Sequence, residues 1–439
     1  MLKNLARKYI SSSIWGQLQS WREDTQIRKL YRDWLKARVS LVPVTGSGPH
    51  IVLLIPSDPR EIVGSCGDEA MVCAMMQMAK RAYTNVEIHV LVWGEEASDV
   101  ARRLGLVGIP LWDQSNFVEA AIELLQSNKY TNVLGMGADI IDGFYRAIEP
   151  AKQLVVLDLA TRLGVPSAVL GASFSTKPDV RLKVFFDALD LNVKLFIRDE
   201  ISLARARAFT VATTELVADS AFVLDAAAPD VETMIWIDAR RAEGKQVIGF
   251  NVHPMLLANK DDDAQDQLIN PACHALLRIT ADRPVAWLLI PHDRRVVAGD
   301  NSVLEPIYKR LKADLGDDIR LFSGFRAAAE LKAIAAQLDG VVTGRMHLAI
   351  GSLGGGTPVL CVTYQDKFEG LMIHFDLPTT ALISMAEFSD TAILALRLEQ
   401  FLDSVGELRI KVAERHDRVI AQSARNFSVF RPAYSVTVT

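Results

Sequence analysis

The sequence predicts an α/β protein built from two doubly wound domains with a cleft between them. Three observations support this. Short apolar runs alternate with helical patterns from Ile51 to Ala208, which is the signature of a mostly parallel sheet covered on both faces. A charged stretch, Asp238 to Lys245, interrupts the alternation, and the pattern then restarts. The chain has 439 residues, half of them hydrophobic, enough for two cores on the usual prior of roughly 100–200 residues per domain.

Residues 1–39 read as a basic helical extension, followed by a linker from Ser40 to Pro49, where Gly46-Ser47-Gly48-Pro49 are turn formers. The first domain, residues 40–240, then takes its elements in turn. Strands are predicted at 51–55, 86–92, 132–135, 167–171 and 194–198. Helices are predicted from 67 or 68 to 80, and at 98–103, 117–127, 149–163, 180–189 and 200–208. The second domain, residues 241–385, has strands at 247–250, 285–290, 319–321, 338–342 and 358–363, with helices at 264–281, 302–315, 327–336 and 348–353. Gly354-Gly355-Gly356 stops the last of these helices. Residues 386–439 form a C-terminal helical segment, predicted to pack back on the first domain. Both domains are therefore doubly wound.

Composition removes several function classes. The net charge of −5 argues against nucleic acid as a partner, since that footprint is basic. Cys66, Cys73, Cys273 and Cys361 form no CxxC pair, so no zinc or redox motif is expected, and a reducing, cytoplasmic setting fits. The mean hydropathy is +0.16, yet no apolar run is long enough to span a bilayer. Residues 1–39 carry nine Lys/Arg against three acids, with Trp15, Trp21 and Trp34 interleaved. Such a helix can lie on an anionic membrane surface as a peripheral contact. It can equally pack on its own protein or on a second subunit in a homo-oligomer.

The most informative segment is Val341 to Ile350. Arg345 and His347 follow a buried strand and open a helix, and ligands in open α/β sheets bind at such strand ends. The helix start offers free N–H groups, Arg adds a planar fork for carboxylate or phosphate, and His can move a proton near neutral pH. Lys367 follows the next strand and can add charge to the same pocket. Four further elements follow strands. Gly64-Ser65-Cys66-Gly67-Asp68 brings Gly67 for close backbone approach and Asp68 as helix cap or general base. Gly135-Met136-Gly137 brings a second close approach at Gly137. Arg198 ends the strand 194–198, and either reaches the anion or pairs with a carboxylate. His292, on a Pro turn, is read as an exposed loop residue facing the cleft. Asp219-Ser220-Ala221-Phe222 reads as structural.

In their order and spacing these elements resemble the polysaccharide pyruvyl transferase family, from roughly Val52 to Leu377. The resemblance rests on Gly64 to Ala70, Ile197 to Ser202, Asp219 to Phe222, Arg345-Met346-His347, Gly356-Thr357-Pro358 and Tyr364-Gln365-Asp366-Lys367. It implies two Rossmann-like domains in a GT-B-like arrangement. It implies phosphoenolpyruvate as donor, a glycan acceptor that is free or lipid-linked, and a pyruvate ketal as product in exopolysaccharide or cell-envelope biosynthesis. Donor contacts would fall on Arg345, His347, Arg198 and the backbone of Met346, with no metal or redox cofactor required. A nucleotide-sugar glycosyltransferase and a non-catalytic scaffold in glycan assembly remain as alternatives.

Overall fold

The computed structural model describes residues 12–43, 48–257, 262–293, 299–323, 327–363 and 367–430. The start of the basic extension, part of the linker and Tyr364-Gln365-Asp366 lie outside the described residues. The first sheet has seven strands: β1 Ile51–Ile55, β2 Glu87–Val92, β3 Val107–Pro110, β4 Asn132–Met136, β5 Ser167–Ala172, β6 Lys194–Ile197 and β7 Thr214–Leu216. Their order is β3-β2-β1-β4-β5-β6-β7. The second sheet has six: β8 Gln246–Asn251, β9 Val285–Leu289, β10 Ile319–Leu321, β11 Gly340–Thr343, β12 Val359–Thr363 and β13 Leu382–Ser384, in the order β10-β9-β8-β11-β12-β13. Strand pairing is parallel in both, with Leu54 beside Leu134 in the first sheet and Val342 between Phe250 and Leu360 in the second.

The central strands are apolar along their whole length because helices cover both faces. β4, β5, β9 and β11 are buried end to end. The elements not anticipated are the edge strands β3, β7 and β13 and the helices Val231–Ala242 and Phe368–Phe375. β3 reads Val-Gly-Ile-Pro, and Gly and Pro are tolerated in a strand chiefly at a sheet edge. Helix Val231–Ala242 buries only Thr233 and Ile237, so its periodicity is faint. It absorbs the first part of the charged stretch 238–245, and Asp230 caps it by accepting from Thr233 N at 2.9 Å.

The basic helix Ser12–Ala37 is docked on the first domain over its last turns. Ile27, Leu30 and Trp34 are buried at helical spacing. Trp34 stacks on Phe185 at 5.6 Å and donates Nε1–H to Asp158 Oδ2 at 2.9 Å. Arg181 holds Glu23 and Asp24 of the same helix. This apolar stripe is therefore occupied by the protein itself, while Trp21 stays 66 % exposed. The C-terminal helix Thr391–Ala424 lies along helices Asp262–Asp282 and Phe368–Phe375 of the second domain. It also packs on the turn Ser220–Val223 of the first domain, where Ser423 Oγ donates to Asp219 O at 2.6 Å, and the residues just after it continue that packing. There Asn426 Oδ1 accepts from Gly171 N at 2.8 Å, and Asn132 Nδ2 donates to Val429 O at 2.9 Å. Among the described residues no helix is long and apolar enough to cross a membrane.

Candidate functional site

In each sheet the strand order reverses once, between β1 and β4 and between β8 and β11. Ligands in open α/β sheets bind outside the carboxyl ends of the strands at such a switch point. Here the two switch points face one another across a cavity of about 210 Å³. Its walls come from strand ends of both domains. Asp68, Asp139 and Arg198 follow β1, β4 and β6, while Met255, His292, Arg345 and Lys367 follow β8, β9, β11 and β12. Met346 and His347 also line it, at the start of helix Met346–Gly354.

Arg345 is the N-cap of that helix. Its backbone N–H donates to Thr343 Oγ1 at 2.9 Å, and Thr343 Oγ1 donates to Asn251 Oδ1 at 3.1 Å. The side chain is already engaged. Nε and Nη2 both donate to Asp300 Oδ1, at 3.0 and 2.5 Å, and Nη2 donates to Asp293 Oδ2 at 3.1 Å. Both carboxylates are fully buried. Burial alone would push the Asp300 carboxyl up, but the charge and hydrogen bonds of Arg345 hold it below its usual range. Among the described residues, the Nη1 edge, against Met255 Sδ at 3.9 Å, is the side left to meet a ligand. Sequence reasoning did not anticipate Asp293 and Asp300 as partners of Arg345.

His347 Nε2 lies 3.7 Å from Asp219 Oδ2 and has no hydrogen-bond partner among the described residues. Arg198, 3 % exposed, donates Nη1–H to the same Asp219 oxygen at 3.1 Å, and its Nε is likewise unpartnered there. Asp219, read from sequence as structural, thus stands between two candidate site residues. Gly67 explains how the first domain approaches so closely. A Cβ there would run into the His347 ring, lying 2.8 Å from its Cγ. Gly67→Ala is expected to displace that imidazole and to lower turnover about 100-fold, the effect of roughly 1 Å misplacement. The melting temperature should move little, which kinetics beside a thermal melt will check.

His292 is buried rather than an exposed loop residue. Its backbone N–H donates to Asp300 Oδ2 at 2.9 Å, and the residue lines the cavity. Burial lowers its pKa to about 3, with Asp300 opposing. His253, not singled out from sequence, shares this environment. Its Nε2 sits 2.9 Å from Gly344 O, so that nitrogen carries the proton, and burial then Arg345 lower its pKa to about 3.

Asp68 is not the helix cap. Ser65 caps helix Cys66–Ala82, and Asp68 completes a capping box three residues on. Asp68 Oδ2 accepts from Ser65 Oγ at 2.8 Å and Oδ1 accepts from Ser57 Oγ at 2.5 Å. Gly137 sits beside the cavity rather than in its wall. A Cβ there would meet Ala172, so this glycine lets β4 pass close to β5. The neighbouring Ala138, at φ 42°, turns the chain so that Asp139 reaches the cavity. Asp139 bonds Lys367 Nζ across the cleft and accepts from Tyr145 Oη at 3.0 Å. Burial would raise its carboxyl, but Lys367 holds it down. Asp139 lies two residues after Gly137 and was not anticipated from sequence, since a carboxylate after a strand carries no sign of a cation 228 residues away.

A family model described as polysaccharide pyruvyl transferase matches residues 66–366. No curated protein matches the chain in sequence. Among solved structures, the chain is similar to a putative UDP-N-acetylglucosamine 2-epimerase from Listeria monocytogenes, with TM-score 0.56 and 12 % identity over 89 % of this chain and 98 % of that one. It is similar to the UDP-GlcNAc 2-epimerase from Neisseria meningitidis bound to UDP-GlcNAc, with TM-score 0.53 and 9 % identity over 86 % and 98 % of the two chains. A glycosyltransferase from Rickettsia africae gives TM-score 0.52 and 10 % identity over 89 % and 100 %. At such identities these neighbours establish the fold, which is the two-domain GT-B architecture. The sequence match covers well over half of the chain, from the start of helix Cys66–Ala82 past the end of β12, and includes Asp68, Asp139, Arg198, His292, Arg345 and His347 of the cavity wall. On that ground the chain belongs to the polysaccharide pyruvyl transferase family.

Proposed function

We propose that the protein transfers the pyruvate unit of phosphoenolpyruvate to a pair of hydroxyls on a glycan, closing a cyclic ketal. The observation that carries this reading is the meeting of Arg345, Arg198 and an unpartnered His347 nitrogen at a helix N-terminus between two switch points. Phosphoenolpyruvate presents a carboxylate and a phosphate. The Nη1 edge of Arg345, the free Nε of Arg198 and the N–H groups opening helix Met346–Gly354 suit those groups. The donor is anionic, and every cation here already has a carboxylate partner, so binding exchanges partners rather than filling empty positive charge. Lys367 leaves Asp139 for the donor most readily, being the more exposed of the paired cations.

In the proposed chemistry a proton adds to the methylene carbon, making C2 electrophilic. One sugar hydroxyl bonds to C2, the second closes the ring, and inorganic phosphate leaves. The two hydroxyl protons end on the new methyl group and on phosphate, which balances the reaction. His347 is the proton donor, to the methylene carbon or the departing phosphate. Asp219 Oδ2 lies 3.7 Å from its Nε2. Asp68 lines the cavity and remains the candidate base, with its oxygens accepting from Ser57 and Ser65.

The test is incubation with labelled phosphoenolpyruvate and a glycan panel, assayed for phosphate release and an acid-labile product. His347→Gln should lower turnover about 10²–10⁴-fold with melting unchanged; full activity in that variant removes its acid role. The glycosyltransferase alternative draws on neighbours that carry UDP-GlcNAc or UDP-glucose. Stabilisation by phosphoenolpyruvate and not by UDP distinguishes the readings, and saturation at 100 times the dissociation constant corresponds to about 2.7 kcal/mol.

A further inference from the structure

A second cavity of about 240 Å³ opens on the first domain and adjoins the one just described. Asp139 and Lys367 line both cavities, so no other residue need separate their occupants. We propose that this second cavity is the acceptor subsite, holding one pyranose ring of the glycan with its reacting hydroxyls directed at Asp139. The inference rests on the pyruvyl-transfer reading and locates its acceptor. It moves the acceptor away from Asp68, which lines only the first cavity.

The chemistry of the walls supports a sugar. Phe144 and Phe174 give apolar faces, and Ser173, Ser175 and Thr176 contribute hydroxyls. A pyranose has that same mixed character, with an apolar C–H face and a polar rim. Phe144 is 46 % exposed and Tyr145 is 49 % exposed, an unusual pair of neighbouring aromatics to leave in water. Their rings meet edge to face at 5.2 Å. Phe144 lines the second cavity and Tyr145 the first, so the pair straddles the boundary between donor and acceptor.

The subsite is also built in advance. Asp142, 1 % exposed, accepts from Phe144 N at 3.0 Å and from Ser175 N at 2.7 Å, tying the two walls together. Ser173 Oγ donates to Ala138 O at 3.1 Å, and Arg205 Nη1 donates to Phe174 O at 3.2 Å. A rigid, mostly apolar concavity with a few placed polar groups is the usual form of a small-ligand site.

The test uses the full chain on an array of hexose- and N-acetylhexosamine-containing oligosaccharides, with no donor present, followed by kinetics on the best binder. Phe144→Ala should weaken array binding and raise the acceptor KM about tenfold, and Thr176→Trp should block both by filling the cavity. The melting shift caused by phosphoenolpyruvate should be the same in both variants as in the wild type. Array binding and acceptor KM unchanged in both variants overturn the subsite, as does a wild-type protein that binds no glycan. A wild-type protein that binds glycans through Phe144 but is not stabilised by phosphoenolpyruvate keeps the subsite and overturns the donor instead.

Discussion

Arg345→Ala is expected to cost the protein both its donor binding and about 3–5 kcal/mol of stability. The stability loss follows from Asp300, whose side chain is fully buried and whose Oδ1 accepts from Arg345 Nε and Nη2. Without the guanidinium, that oxygen is a buried anion with no cation to offset its desolvation. The folded Asp300 carboxyl lies below its ordinary value of about 3.9. Its stabilisation is therefore present above that pH and lost as pH falls through the folded value. In the variant, burial is opposed by His253 and the His292 N–H but no longer by Arg345, so the carboxyl rises and acid sensitivity begins at a higher pH. Urea unfolding should show a lower midpoint with an unchanged m-value. Arg345→Lys should restore part of the stability, because a point charge can reach one carboxylate but cannot bridge Asp300 and Asp293. Wild-type stability in Arg345→Ala would mean that the pair offsets only its own desolvation.

Mild acid should destabilise the second domain through His253 and His292. Burial lowers both pKa values to about 3, against about 6.5 in the unfolded chain. A depressed histidine is neutral in the fold, so its contribution is complete above pH ~6.5 and is lost as pH falls towards 3. Each contributes a slope of up to about 1.4 kcal/mol per pH unit in that window, or about 2.7 for both. Urea titrations at pH 7, 6 and 5 measure the slope directly. His292→Asn should remove about half of it, at the cost of some stability at pH 7. A flat profile from pH 7 to 5 would show that neither ring has to stay neutral in the fold.

Legibility in the sequence followed burial and distance along the chain. The central strands could be read because parallel strands covered on both faces are unbroken apolar runs, as in Ile51–Ile55 and Val285–Leu289. Edge strands such as Val107–Pro110 carry no such run. The segment Arg345 to His347 could be placed at a strand end because the strand, the Gly344 turn and the helix are contiguous. What Arg345 touches could not, since Asp293 and Asp300 arrive from another loop, 52 and 45 residues away. Asp68 was misassigned by three residues because Ser65 and Asp68 are both capping types, and only backbone geometry separates the cap from the residue that answers it. His253 gave no signal: it follows an apolar strand, and nothing in its neighbours marks the carbonyl of Gly344 as its partner.

The contact of Lys367 with Asp139 and Tyr145 has a kinetic consequence. It joins the domains at the mouth of the cleft by charge and hydrogen bonds, so an anion can compete for it where an apolar seam would not yield. Under the pyruvyl-transfer reading the donor is that anion. Its arrival occupies Lys367 and releases the Asp139 carboxylate toward the acceptor side. The glycan ring can then bind with or without the donor, but its reacting hydroxyls gain Asp139 only once the donor has drawn Lys367 away.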